Sequence, residues 1–255
     1  MIGPSHHRVW VDDLAGLLEA RITGKKVYLK NVRNFEWRKE TDYTMHRESR
    51  TYDLDYLHSA DLVPSPHIAH TLISFGFDNG GRIVFSLEIH RKNHDTFSTL
   101  RGFFRRFEQV LIAADERDFL STRSNFWGED VYLYRLRTSQ ANLRTLFLEY
   151  LHEVDALQHT PRVYNRVTSN CITIFFMLAQ LIAPTLPLDY RLLLSGYFAE
   201  YIYDLHGLTS GYRYPELQAL GYINEPALAA DEKNDDFSKT IQRGVPGVFV
   251  EGTPP

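Results

Sequence analysis

The stretch from Ile68 to His90 constrains the fold of this chain more than any other. Two runs rich in β-branched and aromatic residues, Ile68 to Phe77 and Arg82 to His90, flank Asp78-Asn79-Gly80-Gly81. Asn and Gly accept positive φ, so the chain is predicted to double back there as an antiparallel hairpin. A hairpin alone is not stable in water and needs other elements to cover its apolar face. Of the 255 residues, 44% are hydrophobic and 13% aromatic, enough for one large core or two small ones. A disordered, collagen-like or disulfide-stapled chain is excluded.

Further β-like runs lie at Lys26 to Phe35, Arg50 to Leu54, Gln109 to Ala114 and Asp130 to Leu136. Phe126 to Glu129 reads as a loop. Leu14, Leu17, Leu18 and Ile22 fall at helical spacing before Gly24, which predicts an amphipathic helix over Val11 to Ile22. Leu143, Leu146, Phe147, Tyr150, Leu151 and Val154 form a stripe at spacings of three and four, predicting a helix from about Ser139 to Leu157 with that stripe in the core. Thr168-Ser169-Asn170 match a helix cap ahead of Cys171 and the apolar run Ile172 to Leu186, which Pro184 and Pro187 end. A last helix is expected from about Tyr190 to Leu205. Residues 1–223 are read as one domain, and Asn224 to Pro255, with no period, as a loosely docked tail.

Lys and Arg number 28 and Asp and Glu 32, a formal charge of −4 that offers no field for polyanions, so nucleic acid is not an expected partner. No stretch of about 18 apolar residues, the length that spans a bilayer, occurs; Ile172 to Leu186, which carries Gln180 and Pro184, is too short. Met1 to Val9 has no apolar h-region, so no signal peptide is expected in this sequence. The single cysteine, Cys171, excludes an internal disulfide and a thiolate-rich zinc site.

Cys171 falls just inside a predicted helix N-terminus, where free backbone N–H groups and the macrodipole favour a thiolate. Its neighbours Ile172, Ile174, Phe175 and Phe176 equally suit a small buried hydrophobe. A nucleophile needs a base, and His70, opening a strand after the Pro64/Pro66 loop, is the best placed of eleven histidines. His67 and His70 have the i, i+3 spacing of helical metal ligands. The prolines argue against a helix there, and no acidic or thiolate cluster completes a site, so no metal is expected. Centring the turn on Asn79-Gly80 sets Thr71 opposite Glu88 and His70 opposite Leu87 to Ile89. Glu88 then ends near His70, either to orient its imidazole or as a solvated strand carboxylate. Trp127 and Tyr132 are candidates to line a groove or to sit in the core.

Asn31 to Phe35, Arg50 to Leu54, Ile68 to Phe77, Leu87-Glu88-Ile89, Ala114 to Asp118, Gly128 to Tyr134 and Asn170-Cys171 resemble the bacterial family typified by the N-terminal periplasmic domain of Lnb, a protein of lipoprotein acyl transfer. The resemblance spans about residues 26–205. It implies an α+β, permuted papain-like fold in which an antiparallel sheet packs on the Cys-bearing helix and the His-bearing strand comes first. The family's cysteine falls on Cys171, its histidine on His70 and its acidic strand residue on Glu88. Where relatives read Asn-Asn-Cys-Thr, this chain has Ser169-Asn170-Cys171-Ile172 and lacks the hydroxyl after the cysteine. The resemblance implies a periplasmic or envelope-associated thiol hydrolase or acyltransferase that forms an acyl-thioester, without a cofactor. The Cys171 N–H, with Asn170 or Ser169, would face the oxyanion. A lipid, lipoprotein, peptide or cell-wall amide would be the substrate. A domain that kept the fold as a binding scaffold and lost turnover is the alternative.

Overall fold

The computed structural model describes residues 16–65, 70–79, 81–90, 108–162, 171–192, 195–233 and 236–248. Ten strands lie among them: β1 (Glu19–Thr23), β2 (Lys26–Arg33), β3 (Glu36–Lys39), β4 (Asp42–Thr44), β5 (Arg47–Asp53), β6 (Leu57–Ser65), β7 (His70–Phe77), β8 (Arg82–His90), β9 (Glu108–Ala114) and β10 (Tyr134–Arg135). Seven α-helices accompany them: α1 (Glu116–Ser121), α2 (Gln140–His159), α3 (Cys171–Ile182), α4 (Phe198–Asp204), α5 (Tyr214–Gly221), α6 (Asn224–Lys233) and α7 (Phe237–Gln242). A π-helical turn, Thr122–Phe126, continues α1.

The expected hairpin forms, and it sits at the centre of an eight-stranded sheet ordered β1-β2-β9-β8-β7-β6-β10, with β5 on β2. Pairing is antiparallel apart from the single parallel step Arg33↔Ala114 between β2 and β9. The hairpin ladder runs from Gly76↔Arg82 to Ile73↔Phe85. Its register is one residue tighter than a turn centred on Asn79-Gly80 gives, and carried outward it sets Glu88, the middle of the expected range Leu87 to Ile89, opposite His70. Thr71 therefore does not face Glu88.

Strand alternation sorts the core into two layers. Ile73, Phe75, Phe77, Ile83, Phe85 and Leu87 face α2, α3 and α4, where Phe147 lies edge-on to Phe75, Phe77 and Phe85. Leu72, Val84, Val110, Ile112 and Ala114 face Phe119 and Leu120 of α1 and Ala227, Ala230, Phe237 and Ile241 of α6 and α7. The architecture is thus mixed α+β, a largely antiparallel sheet covered on both faces.

Four expectations need correction. Glu19–Thr23 is a strand, because Gly24, at φ +59°, turns the chain straight back into β2 and the residues pair there from Glu19↔Lys30 to Thr23↔Lys26. Residues 11–15 lie outside the described residues. The expected strand over Asp130 to Leu136 shrinks to Tyr134–Arg135 with isolated bridges Tyr132↔Tyr222 and Leu136↔Leu208, since its partners are loops rather than strands. The helix expected from Tyr190 begins only at Phe198, after short 3₁₀ turns. Residues 224–248 are not a loose tail: α6 and α7 bury Ala227, Ala230, Phe237, Ile241 and Val245 against the sheet. The helix over Ser139 to Leu157 appears as α2, with the Ser139 hydroxyl accepting from the Asn142 N–H as its cap.

Candidate active site at the open end of the central hairpin

Towards His70 the two hairpin strands keep their outer partners. β7 stays on β6 out to Ser65↔His70, and β8 on β9 out to His90↔Glu108. The β7–β8 ladder itself stops at Ile73↔Phe85. Phe77 donates its N–H to Gly81 across the turn, so by alternation Ile73 and Thr71 aim theirs the same way. The Thr71 N–H instead meets the sulfur of Cys171. Cys171 opens α3 on one face of the sheet and His70 shares its strand face with Leu72 on the other. The gap between the strands is where they meet, and the thiol hydrogen-bonds the imidazole.

On its other side the ring faces β8. His70 Nε2 lies 2.8 Å from Ser86 Oγ and 3.3 Å from Glu88 Oε1, and Ser86 Oγ donates to Glu88 Oε1 at 2.6 Å. Arg123, on the π-helical turn, donates Nη2 to Glu88 Oε1 at 3.1 Å and Nη1 to Glu129 at 3.2 Å. The Arg123 guanidinium also sits 5.4 Å from the centre of the Trp127 ring.

These partners decide the charge states. Burial and the Arg123 cation push the His70 imidazole down. Glu88 and the thiol outweigh them, and it is pushed up to about 9. Burial raises the Cys171 thiol, yet the His70 hydrogen bond and charge, with the Thr71 N–H, bring it below its ordinary range. The Glu88 carboxyl is held far below the usual carboxylate range by His70 and Arg123, against the cost of burial. The group thus favours a thiolate, an imidazolium and a carboxylate in line. Cys171 is 6% exposed, and the His70 side chain, at 14%, is the more open of the two.

The structure therefore brings together Cys171, His70 and Glu88, three residues expected from sequence. Ser169, Asn170 and His67 lie outside the described residues. Among the described residues no group of three or more His, Cys, Asp or Glu side chains is arranged to hold a metal ion. Trp127 is 38% exposed and edge-on to Trp37, whereas Tyr132 stacks on Tyr134 and touches Tyr222. Two members of the site were not expected. Ser86 shares Glu88's strand face two residues away, so alternation carried a signal for it. Arg123 gave none, because its place depends on a π turn no residue pattern announces.

The chain matches the family model of the Lnb N-terminal periplasmic domain over residues 43–196, more than half its length. It belongs to that family. The matched Lnb segment contains His70, Ser86, Glu88, Arg123 and Cys171, and ends before α4. No curated protein and no solved structure matches the chain. Among the described residues no helix is long and apolar enough to cross a membrane.

Proposed function

We propose that this Lnb-family domain is a thiol-dependent acyl hydrolase or acyltransferase of the cell envelope, with the element order of a permuted papain-like enzyme. The thiol–imidazole contact, with the imidazole pushed up and the thiol pulled down, carries this reading. The family's description as a periplasmic domain supports the proposed envelope location.

In the proposed cycle the Cys171 thiolate attacks the carbonyl carbon of an ester or amide, and a carbon–sulfur bond forms as the carbonyl π pair moves to oxygen. The tetrahedral oxyanion collapses, the bond to the leaving oxygen or nitrogen breaks, and His70 gives that atom its proton. Water or an amine then attacks the acyl-thioester while His70 takes its proton, and Cys171 leaves as thiolate. Glu88 balances the imidazolium charge throughout. The N–H of Cys171 is the proposed oxyanion donor; the second donor expected from sequence, Asn170 or Ser169, lies outside the described residues.

The test is p-nitrophenyl esters of short and long acyl chains, with intact-mass detection of the enzyme during turnover. A burst and an acyl adduct on Cys171, absent in Cys171→Ala and His70→Ala, support the proposal. Failure of every ester to acylate a protein whose thiol still alkylates rapidly favours the binding-scaffold reading, to which the cover over the sulfur lends some weight.

A further inference from the structure

We propose that Ser86 is a positioning residue that fixes a proton on Nε2 of His70 and so reserves Nδ1 for Cys171. The inference deepens the acyl-transfer reading and rests on it. Ser86 is 1% exposed and its hydroxyl lies between ring and carboxylate, 2.8 Å from Nε2 and 2.6 Å from Glu88 Oε1. Both contacts are shorter than the direct 3.3 Å from ring to carboxylate. A hydroxyl carries one proton, and an ionised carboxylate only accepts. Arg123, donating to the same Oε1 at 3.1 Å, keeps Glu88 in that acceptor state. The Ser86 proton therefore points to Glu88, and its oxygen turns a lone pair to the ring. Only an Nε2–H satisfies that oxygen.

The nitrogen left for the sulfur is Nδ1, which holds the thiol's proton in the ion pair and is the free base after the proton is passed on. The groups that face the ring and sulfur are Ser86 and Glu88 from β8, Arg123 from the π turn, the Thr71 N–H from β7, and Tyr150 from α2, which lies beside the thiol. Among the described residues Ser86 gives Nε2 its shorter oxygen contact, 2.8 Å against 3.3 Å from Glu88, and from a hydroxyl whose only proton is already committed. Without the hydroxyl the ring keeps only the longer 3.3 Å contact to Glu88, a weaker hold on the same Nε2–H.

The 255-residue chain, labelled with ¹⁵N-histidine, tests this directly. Above the imidazole's own titration, long-range ¹⁵N–¹H correlations of His70, assigned by loss in His70→Gln, should show the Nε2–H tautomer. An Nδ1–H tautomer overturns the proposal. In Ser86→Ala, iodoacetamide alkylation of Cys171 at pH 7 should fall about tenfold, with the rate profile shifted to higher pH, and Ser86→Thr should restore both. A Ser86→Ala profile that overlays the wild type also overturns it. If wild-type Cys171 alkylates no faster than a free thiol, the nucleophile reading fails instead, while the ring spectrum still reports on Ser86 alone.

Discussion

Cys171 and His70 supply each other's missing condition: the thiol loses its proton beside a cation, and the imidazole holds one beside two anions. At pH 7 only about 3% of a free thiol is ionised. Cys171 is therefore expected to react with iodoacetamide about tenfold faster than a free thiol, and His70→Ala to remove the advantage; equal rates in the two proteins would separate the pair. Stability should follow from the same shifts. His70, raised, contributes stability that is complete below the unfolded imidazole titration near ~6.5 and is lost as pH rises through about 9. Cys171, lowered, contributes above its unfolded titration near ~8.5 and loses that as pH falls. The pair's contribution therefore falls away on both flanks, that of Cys171 as pH falls and that of His70 as pH rises through about 9. Urea midpoints from pH 5 to 10 should show this curvature in the wild type and lose it in His70→Gln.

The β3–β4 hairpin is too short to hold itself and is tied down from α1. Asp118, fully buried, accepts from Arg33 Nε at 2.8 Å and Nη2 at 3.0 Å, from the Phe35 N–H at 2.9 Å and from Trp37 Nε1 at 2.8 Å. Asp118→Ala leaves a buried guanidinium without its anion, and a loss of about 3–5 kcal/mol is expected from urea unfolding. Trp37 emission should shift to the red as the hairpin loosens. A loss under about 1 kcal/mol would mean that the aromatic stack of Phe35, Trp37 and Tyr43 holds the hairpin unaided. Removing the Ser139 cap in Ser139→Ala should cost only about 1 kcal/mol, because α2 is held chiefly by Phe147 and its neighbours.

At the scale of the whole molecule, the helices on the two faces of the sheet differ in how they relate to the family. The matched segment includes α2 and α3 over one layer of the core and only α1 over the other, while α6 and α7, which share that second layer, lie beyond it. Truncation after Tyr222 uncovers Leu72, Val84, Val110 and Ile112 and strips Gln242 from the buried set of Glu116, Arg82 and Asp61. The truncated chain is expected to bind the dye ANS and to unfold in urea with a shallow, early transition. An unchanged midpoint would restore the view of this segment as a tail.

Sequence by itself determined the central hairpin, because Asn79 and the glycines beside it permit one sharp reversal between two strongly β-prone runs. It determined α2, whose stripe from Leu143 to Val154 has no other period, and the nature of α3 as a buried helix. It placed Cys171, His70 and Glu88 as candidates through residue type, hairpin spacing and likeness to a family. Only the tertiary structure decided that Glu19–Thr23 is a strand, since its helical spacing yields to the pairing that β2 offers. It also decided that α6 and α7 dock, through small residues such as Ala227 and Ala230 that leave little hydrophobic signal. The site was decided there too. The parting of β7 from β8, the thiol in the opening, and Arg123 on Glu88 all depend on contacts between segments far apart in the chain, and no local pattern of residues encodes such contacts.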